Sequence, residues 1–245
     1  MQERARYKLL QPISRNTLQE KVHLRIRQGL IDGEFTPGQV LTIRDLAAHL
    51  GTSVMPVREA LHKLTVERVL ELLPTRSVRV PILSADRFAE ICEARMILEG
   101  NVARIAASRA VAEDIVRIET ASRAFLSAKN NKNPSMLNQR NREFHFAIYE
   151  TARHSTLMEL IEPLWVRCGP CTLALFEELG HEQIKHGAST HHQMALDAIR
   201  EHRPDDAYDA IVADIRATSE RYQSHARKSG KDGSPHFAAR SAAES

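Results

Sequence analysis

The sequence has few cysteines, no long apolar run and no internal repeat. Three cysteines among 245 residues are an odd number, which fits a reducing cytoplasm better than a disulfide framework. No stretch of about eighteen consecutive apolar residues occurs, which argues against a transmembrane helix. The first residues show no charged segment followed by an apolar one, as a secretion signal would. We therefore expect a cytoplasmic protein without a membrane anchor.

Length and charge both indicate two domains. A chain of 245 residues exceeds one typical domain, and an apolar content of 42% is enough to build a core in each of two. Residues 1–81 contain 13 Lys or Arg against 8 Asp or Glu, a net charge of +5, whereas the remainder has 21 against 23. A basic module joined to a mildly acidic one suits a domain that faces phosphates and a domain with another task.

Residues 41–81 follow the order of a winged helix-turn-helix. Thr42 can cap a first helix, whose Leu46 and Leu50 recur at helical spacing before Gly51 ends it. The turn at Gly51 then leads directly into a second helix, as in DNA-binding proteins of this class.

The second helix has the pattern of a recognition helix. Ser53 and Pro56 suit its N-cap and first turn, and Val57, Leu61 and Leu64 recur on one face that we expect to be buried. The opposite face is free, and its N-terminal end would enter the major groove. The side chains there are Val54, Met55 and Arg58, of which Arg58 is the candidate for contact with guanine or a phosphate.

A short β-like segment after residue 67 completes the motif as a wing. Its apolar positions lie at 69–73, a turn follows at 74–77, and residues 78–80 alternate again. Arg76 lies at the tip of this wing. A small helical hairpin with a β-turn and no nucleic-acid role is the alternative, because short motifs are generic.

The second half is predicted to be an all-helical bundle. Ser84 can cap a long helix with Ile91, Leu98, Val102 and Ile105 on one face. Further helices are predicted near 111–129, 134–152, 155–179, 188–202 and 204–224, separated by polar or glycine-containing turns. The domain boundaries follow: a flexible N-terminus at 1–14, the DNA-binding domain at 15–81, the helical domain at 84–224 and a disordered tail at 225–245.

Four polar side chains of the helical domain have the spacing of a metal site. Asn141 and His145 are four residues apart, so a helix presents both on one face. His192 and Asp214 lie eleven residues either side of the turn at Arg203, so an antiparallel hairpin brings them opposite each other. Two imidazoles, a carboxylate and an amide suit a divalent transition metal such as Zn²⁺, Ni²⁺, Mn²⁺ or Fe²⁺. A metal-free polar pocket is the alternative.

The chain resembles a known family of regulators. Residues 17–81 are similar to the DNA-binding domain of the GntR superfamily, through the segments IDGEFTPGQVL, IRDLAAHLGTSVMPVREAL and PTRSVRV, and the remainder resembles the helical FCD domain of its FadR-like branch. The resemblance implies a bacterial, nucleoid-associated homodimer, usually a repressor, that binds a short pseudo-palindrome and responds to a small molecule. The DNA-binding positions that it implies, together with those read from the helix, are Arg44, Ser53, Val54, Met55, Pro56, Arg58, Thr75 and Arg76.

The resemblance also bears on the metal site. Many FCD domains carry a D/N-x-x-x-H motif, a second histidine in H-x-x-x-x-x-A and a final histidine, and here the first two read NREFH and HQMALDA. Asp214 stands where the final histidine is usual, and Asn141 stands where many relatives have aspartate. The carboxylate has therefore moved from one side of the site to the other.

The helical domain is expected to bind a small carboxylate effector. A metal or an imidazole cluster attracts carboxylates, and a helical core offers apolar walls. Arg95, in the segment EARMILEG, is a candidate for holding that carboxylate, and an ion pair with Glu99 four residues later is the alternative.

Three other functions compete with a ligand-responsive regulator. A metal-dependent hydrolase could use the four-residue cluster, although no separate general base or nucleophile motif accompanies it. A thiol-redox sensor could use Cys168-Gly-Pro-Cys171, although that motif lies within a helical run, where Gly-Pro is interpreted as a kink or break. A purely structural dimeric scaffold is the third alternative.

Overall fold

The computed structural model describes residues 18–75, 77–130, 133–184 and 187–228. Within these residues the chain forms a small three-stranded sheet and nine helices, as the mainly α prediction requires. In chain order the elements are α1 Leu18–Asp32, β1 Val40–Leu41, α2 Ile43–His49, α3 Val54–Val66, β2 Glu71–Leu72, β3 Val78–Arg79, α4 Ala85–Arg109, α5 Ala112–Asn130, α6 Pro134–Thr151, α7 Ser155–Ile184, α8 Gly187–Arg200 and α9 Pro204–Lys228.

The first domain is a winged helix-turn-helix. Thr42 caps α2 by accepting a hydrogen bond from the Asp45 amide, and Gly51 opens the turn at a φ of 61°, which favours glycine. Ser53 occupies the N-cap of α3, but its side chain forms no capping hydrogen bond. The sheet order is β1-β3-β2 with antiparallel pairing, so the predicted hairpin gains a third strand. Sequence reasoning missed β1, because two residues are too short to show a period.

The second domain is a helical bundle. Ser84 caps α4 by accepting a hydrogen bond from the Arg87 amide, and α4 packs chiefly against α9. Phe88 of α4 stacks on Tyr222 of α9 with ring centroids 4.0 Å apart. Helices α5 and α6 pair with each other, as do α8 and α9. The faces of α6, α8 and α9 that carry polar side chains therefore converge inside the bundle.

Helix α7 runs through both of its prolines, as the predicted helix at 155–179 requires, so Gly-Pro does not break it. Pro163 and Pro170 lie within the helix, which continues to Ile184 instead of ending at residue 179. An interior proline costs about 3 kcal/mol. Packing on both sides offsets that cost, because Val166 belongs to the core of the first domain and Leu175 to the core of the second.

The ends of the chain differ from the prediction in one respect. Helix α9 continues to Lys228, so the first four residues of the predicted tail are helical. Residues 229–245 and the predicted flexible segment 1–14 lie outside the described residues. None of the described helices combines the length and the apolar character needed to cross a membrane.

Candidate metal centre and nucleic-acid interface

Three buried side chains from three helices meet in the second domain. His145 lies on α6, His192 on α8 and Asp214 on α9, and one ligand atom from each lies within 4.8 Å of the others. His145 Nε2 is 3.2 Å from Asp214 Oδ2. Asn141, one helical turn before His145, is also buried. Three of the four predicted ligands therefore come together from elements that are far apart in the chain.

A chain of hydrogen bonds behind His145 fixes its orientation. The Tyr149 hydroxyl donates to Glu99 Oε2 at 2.5 Å and lies 2.8 Å from His145 Nδ1. Because the hydroxyl uses its only O–H to donate a hydrogen bond to Glu99, it accepts a hydrogen bond from the Nδ1–H of His145. Nε2 then faces Asp214 Oδ2 and can share a proton or a cation with it. Two electron-rich atoms at this distance repel each other unless a proton or a cation lies between them, and such a chain is typical behind metal-bound histidines.

His192 is a buried imidazole without a polar partner. Neither of its ring nitrogens forms a hydrogen bond with the described residues. Its ring stacks on Phe144 with centroids 4.0 Å apart and lies 4.5 Å from the ring of Phe125. Buried polar atoms are normally satisfied, so two orphan nitrogens indicate a missing partner. Burial lowers the pKa of His192 to about 3, which keeps the ring neutral and able to bind a metal.

Asp214 supplies the negative charge of the centre. Burial alone would raise its pKa, but the hydrogen bond to His145 and the two nearby imidazoles lower it to about 2. The site thus offers two imidazoles and one carboxylate, with the Asn141 amide one helical turn before His145, and this set fits a divalent transition metal. The observation that decides the fit is the pair of orphan nitrogens on His192.

Sequence reasoning missed three residues of this centre. Tyr149 and Glu99 are the outer partners of His145, and half-buried His191 lies close enough to Asp214 for its charge to lower the pKa of that carboxyl. The spacing held part of the signal, since Tyr149 follows His145 by four residues on the same helix. Glu99 belongs to another helix, so only the tertiary structure reveals its role.

Arg95 is engaged by Glu99. Its Nε lies 2.7 Å from Glu99 Oε1, and its guanidinium carbon is 4.1 Å from the centroid of the Trp165 ring. Burial alone would lower the pKa of Arg95, but the adjacent carboxylate raises it overall. The structure therefore shows the ion pair that was the alternative to an effector contact, and through Glu99 it connects Arg95 with the Tyr149 and His145 chain.

The cysteine motif lies inside helix α7. Cys168 and Cys171 are both buried, and all three cysteines of the chain are free thiols. A hydrogen bond with Cys92 and then burial raise the pKa of Cys168, and burial raises the pKa of Cys171 to about 11. Both thiols stay protonated at neutral pH, which disfavours the thiolate chemistry of a redox motif.

The predicted DNA-binding side chains lie at the surface of the first domain. Val54 and Met55 at the start of α3 are 40% and 53% exposed, as contact with a groove requires. Arg44 and Arg58 are exposed and form no ion pair with the described residues. Ser53 and Thr75 are exposed, Pro56 is half-buried, and Arg76 lies outside the described residues.

Comparisons with known proteins match both halves of the chain. Residues 18–80 match the family model "Bacterial regulatory proteins, gntR family", and residues 90–217 match the FCD domain. The HTH-type transcriptional regulator McbR of Escherichia coli (strain K12) is 29% identical over 167 residues, which cover 68% of this chain and 76% of that protein.

Two further matches extend over more of the chain. The galactonate operon transcriptional repressor of the same organism is 23% identical over 82% of this chain and 95% of that protein. The solved structure of E. coli McbR/YncC superposes with a TM-score of 0.80 at 25% identity, covering 86% of this chain and 99% of that one. These relatives are transcription regulators, which contradicts the hydrolase alternative.

Proposed function

The chain belongs to the gntR family of bacterial regulatory proteins, with an FCD domain after its DNA-binding domain, and we propose that it is a metal-loaded, effector-responsive repressor. The family makes it a DNA-binding transcription regulator and not an enzyme. The proposal adds a divalent metal at the buried centre, a small organic acid as effector and a homodimer as the active form.

The orphan nitrogens of His192 carry the metal part of the proposal. We expect Asn141, His145, His192 and Asp214 to hold the ion, while Tyr149 orients His145. The metal, when bound, supplies a positive charge in an apolar core and so attracts a carboxylate.

The effector role of Arg95 depends on an exchange of partners. Its guanidinium holds Glu99 in the structure, so contact with an effector carboxylate requires Arg95 to leave that residue. A carboxylate arriving at the centre would then disturb the hydrogen-bond chain from Glu99 through Tyr149 to His145. A ligand shifts a regulator only if it favours one arrangement over another, and this exchange supplies such a difference.

DNA recognition is proposed at the exposed start of α3. Val54, Met55 and Arg58 would face bases in the major groove, while Arg44, Ser53, Pro56, Thr75 and Arg76 would position the domain on the backbone. A homodimer places two such helices on a pseudo-palindromic operator. We propose that the effector changes the spacing of the two helices and therefore the affinity for the operator.

Elemental analysis of the untagged protein tests the metal part directly. We expect near-stoichiometric metal in the wild type and none in the double variant His145→Ala/His192→Ala. His154→Ala is the matched control, because His154 lies at the start of α7 outside the cluster. Wild-type protein that takes up no metal after soaking with Zn²⁺, Ni²⁺ or Mn²⁺ would contradict the proposal.

A mobility-shift assay on genomic DNA fragments tests the effector part. Metal-loaded protein should retain specific fragments, with an affinity that falls steeply as salt rises, and a panel of small organic acids should change that affinity. The metal-free double variant should bind the same fragments without responding to the acids. If no acid changes the affinity of the wild type, the effector class is wrong while the regulator assignment stands.

A further inference from the structure

A cleft lined by three arginines lies at the junction of the two domains. Its volume is about 430 Å³, and residues 81–84, which link the domains, form one wall. Arg68 comes from the turn after α3, Arg87 from the first turn of α4 and Arg167 from the middle of α7. The cleft shares no lining residue with the metal centre.

The positive charge of this cleft is not compensated by the described residues. Glu71 is the only carboxylate among the described lining residues, and Arg79 holds it at 2.7 Å. Arg87 pairs with Glu90. The side chains of Arg68 and Arg167 form neither an ion pair nor a hydrogen bond with the described residues. Two unpaired guanidinium groups therefore face one cavity.

The burial and the pKa of Arg167 agree with a cleft that holds unpaired positive charge. The residue is half-buried, and burial together with the nearby charges of Arg87 and Arg68 lowers its pKa. A half-buried guanidinium normally has an anionic partner, because an unpaired charge away from water is costly. Arginine also presents a planar set of donors that matches the oxygens of phosphate.

We propose that the arginine cleft binds a small anion of the phosphate class, either inorganic phosphate or a phosphate ester. The apolar wall of Leu70, Ile82 and Leu83 leaves room for an organic group on the ester. The bound anion bridges the domains, because Arg68 belongs to the winged domain whereas Arg87 and Arg167 belong to the bundle.

The position of the cleft argues against DNA as the source of the phosphate. Helix α3 has 13 residues and is therefore about 20 Å long. Its N-terminal end carries the proposed base contacts, whereas Arg68 follows its C-terminal end. A duplex held at the start of α3 thus lies about one helix length from the cleft.

Calorimetric titration with inorganic phosphate tests the proposal. The full chain is first stripped of metal with EDTA, so that phosphate cannot bind at the metal centre. We expect saturable binding to the wild type, and binding to Arg167→Gln weaker by about tenfold or more, since a hydrogen bond to a charged group is lost. Arg68→Gln, a substitution at an exposed side chain, should weaken binding in the same direction. Arg123→Gln on α5 is the matched control and should bind as the wild type does.

Two results would overturn the proposal. One is a failure of phosphate to bind in the cleft. It would be seen either as no saturable binding up to about 10 mM phosphate or as equal binding by the wild type and both cleft variants. The other is a loss of DNA affinity in Arg167→Gln, with a salt slope reduced by about one, while free phosphate does not bind. That second pattern would assign the cleft to a phosphate of the DNA backbone.

Discussion

At the scale of single residues, Tyr149 fixes the orientation of the His145 ring in the candidate metal centre. Its hydroxyl donates a hydrogen bond to Glu99 and accepts one from His145 Nδ1–H, so the second nitrogen of His145 is directed toward Asp214. A tyrosine four residues after a histidine is ordinary on a helix. This tyrosine matters because its hydroxyl donates to Glu99 of α4. That bond sets the direction of the hydrogen bond between Tyr149 and His145.

Tyr149→Phe should therefore weaken metal binding without removing a ligand. We expect the affinity for Zn²⁺ or Ni²⁺ to fall by about 10- to 100-fold, the usual effect of losing an outer partner of a metal-bound histidine. Titration against a competing chelator measures this affinity. Tyr208→Phe on α9 is the control, because the Tyr208 ring contacts Arg104 outside the centre. Equal metal affinities of the two variants and the wild type would show that Tyr149 does not support metal binding.

At the scale of elements, α6 connects the centre with the DNA-binding domain. Near its start, Asn138 donates to the Ile31 carbonyl at 3.0 Å and Arg142 lies 3.4 Å from Asp32. His145 follows Asn138 by seven residues, about two turns, so the same side of the helix reaches the centre. We therefore expect a shift of α6 at the centre to displace the end of α1.

Asn138→Ala should loosen this connection. The substitution leaves the buried carbonyl of Ile31 at the end of α1 without its partner, and we expect the free energy of unfolding to fall by about 1–3 kcal/mol. Urea denaturation measures the loss. The control is Gln139→Ala, because the Gln139 side chain bonds, among the described residues, only to Glu143 within α6, and its loss should cost about 0.5 kcal/mol or less. A comparable loss of unfolding free energy in both variants would show that the hydrogen bond from Asn138 to Ile31 contributes no more to stability than the contact of Gln139 with Glu143.

At the scale of the whole molecule, the buried centre makes stability depend on pH. The unfolded chain protonates His192 as the pH falls through about 6.5, whereas the folded chain resists until about pH 3. Protons therefore favour the unfolded state in that window, and stability falls as pH falls. Asp214 acts in the same direction between its ordinary pKa of 3.8 and about 2.

A comparison at pH 7 and pH 5 in EDTA isolates this effect. The wild type should lose about 2 kcal/mol more unfolding free energy between these values than His192→Gln, since each pH unit below 6.5 costs about 1.4 kcal/mol for one proton. Exposed His62 provides the control, and His62→Gln should follow the wild type. Parallel pH profiles for the wild type and His192→Gln would show that His192 does not titrate in this way.

The sequence by itself determined the helix-turn-helix with its wing and the helices of the second domain, in the order in which they occur, but not the two-residue strand β1. The signals for these elements depend on a few neighbouring residues, so they can be recognised in the sequence. They are the helical periods, the caps at Thr42 and Ser84 and the turn at Gly51. The pairing of His192 with Asp214 was predictable for the same reason, because a short turn joins their helices.

Only the tertiary structure decided what depends on contacts between distant segments. It packed α7, which contains two prolines, against the cores of both domains, and this packing offsets the local penalty. It placed Glu99 behind Tyr149 and gathered Arg68, Arg87 and Arg167 around one cleft. Such contacts join residues tens of positions apart, and no local pattern records them, since their energies arise only when the helices pack.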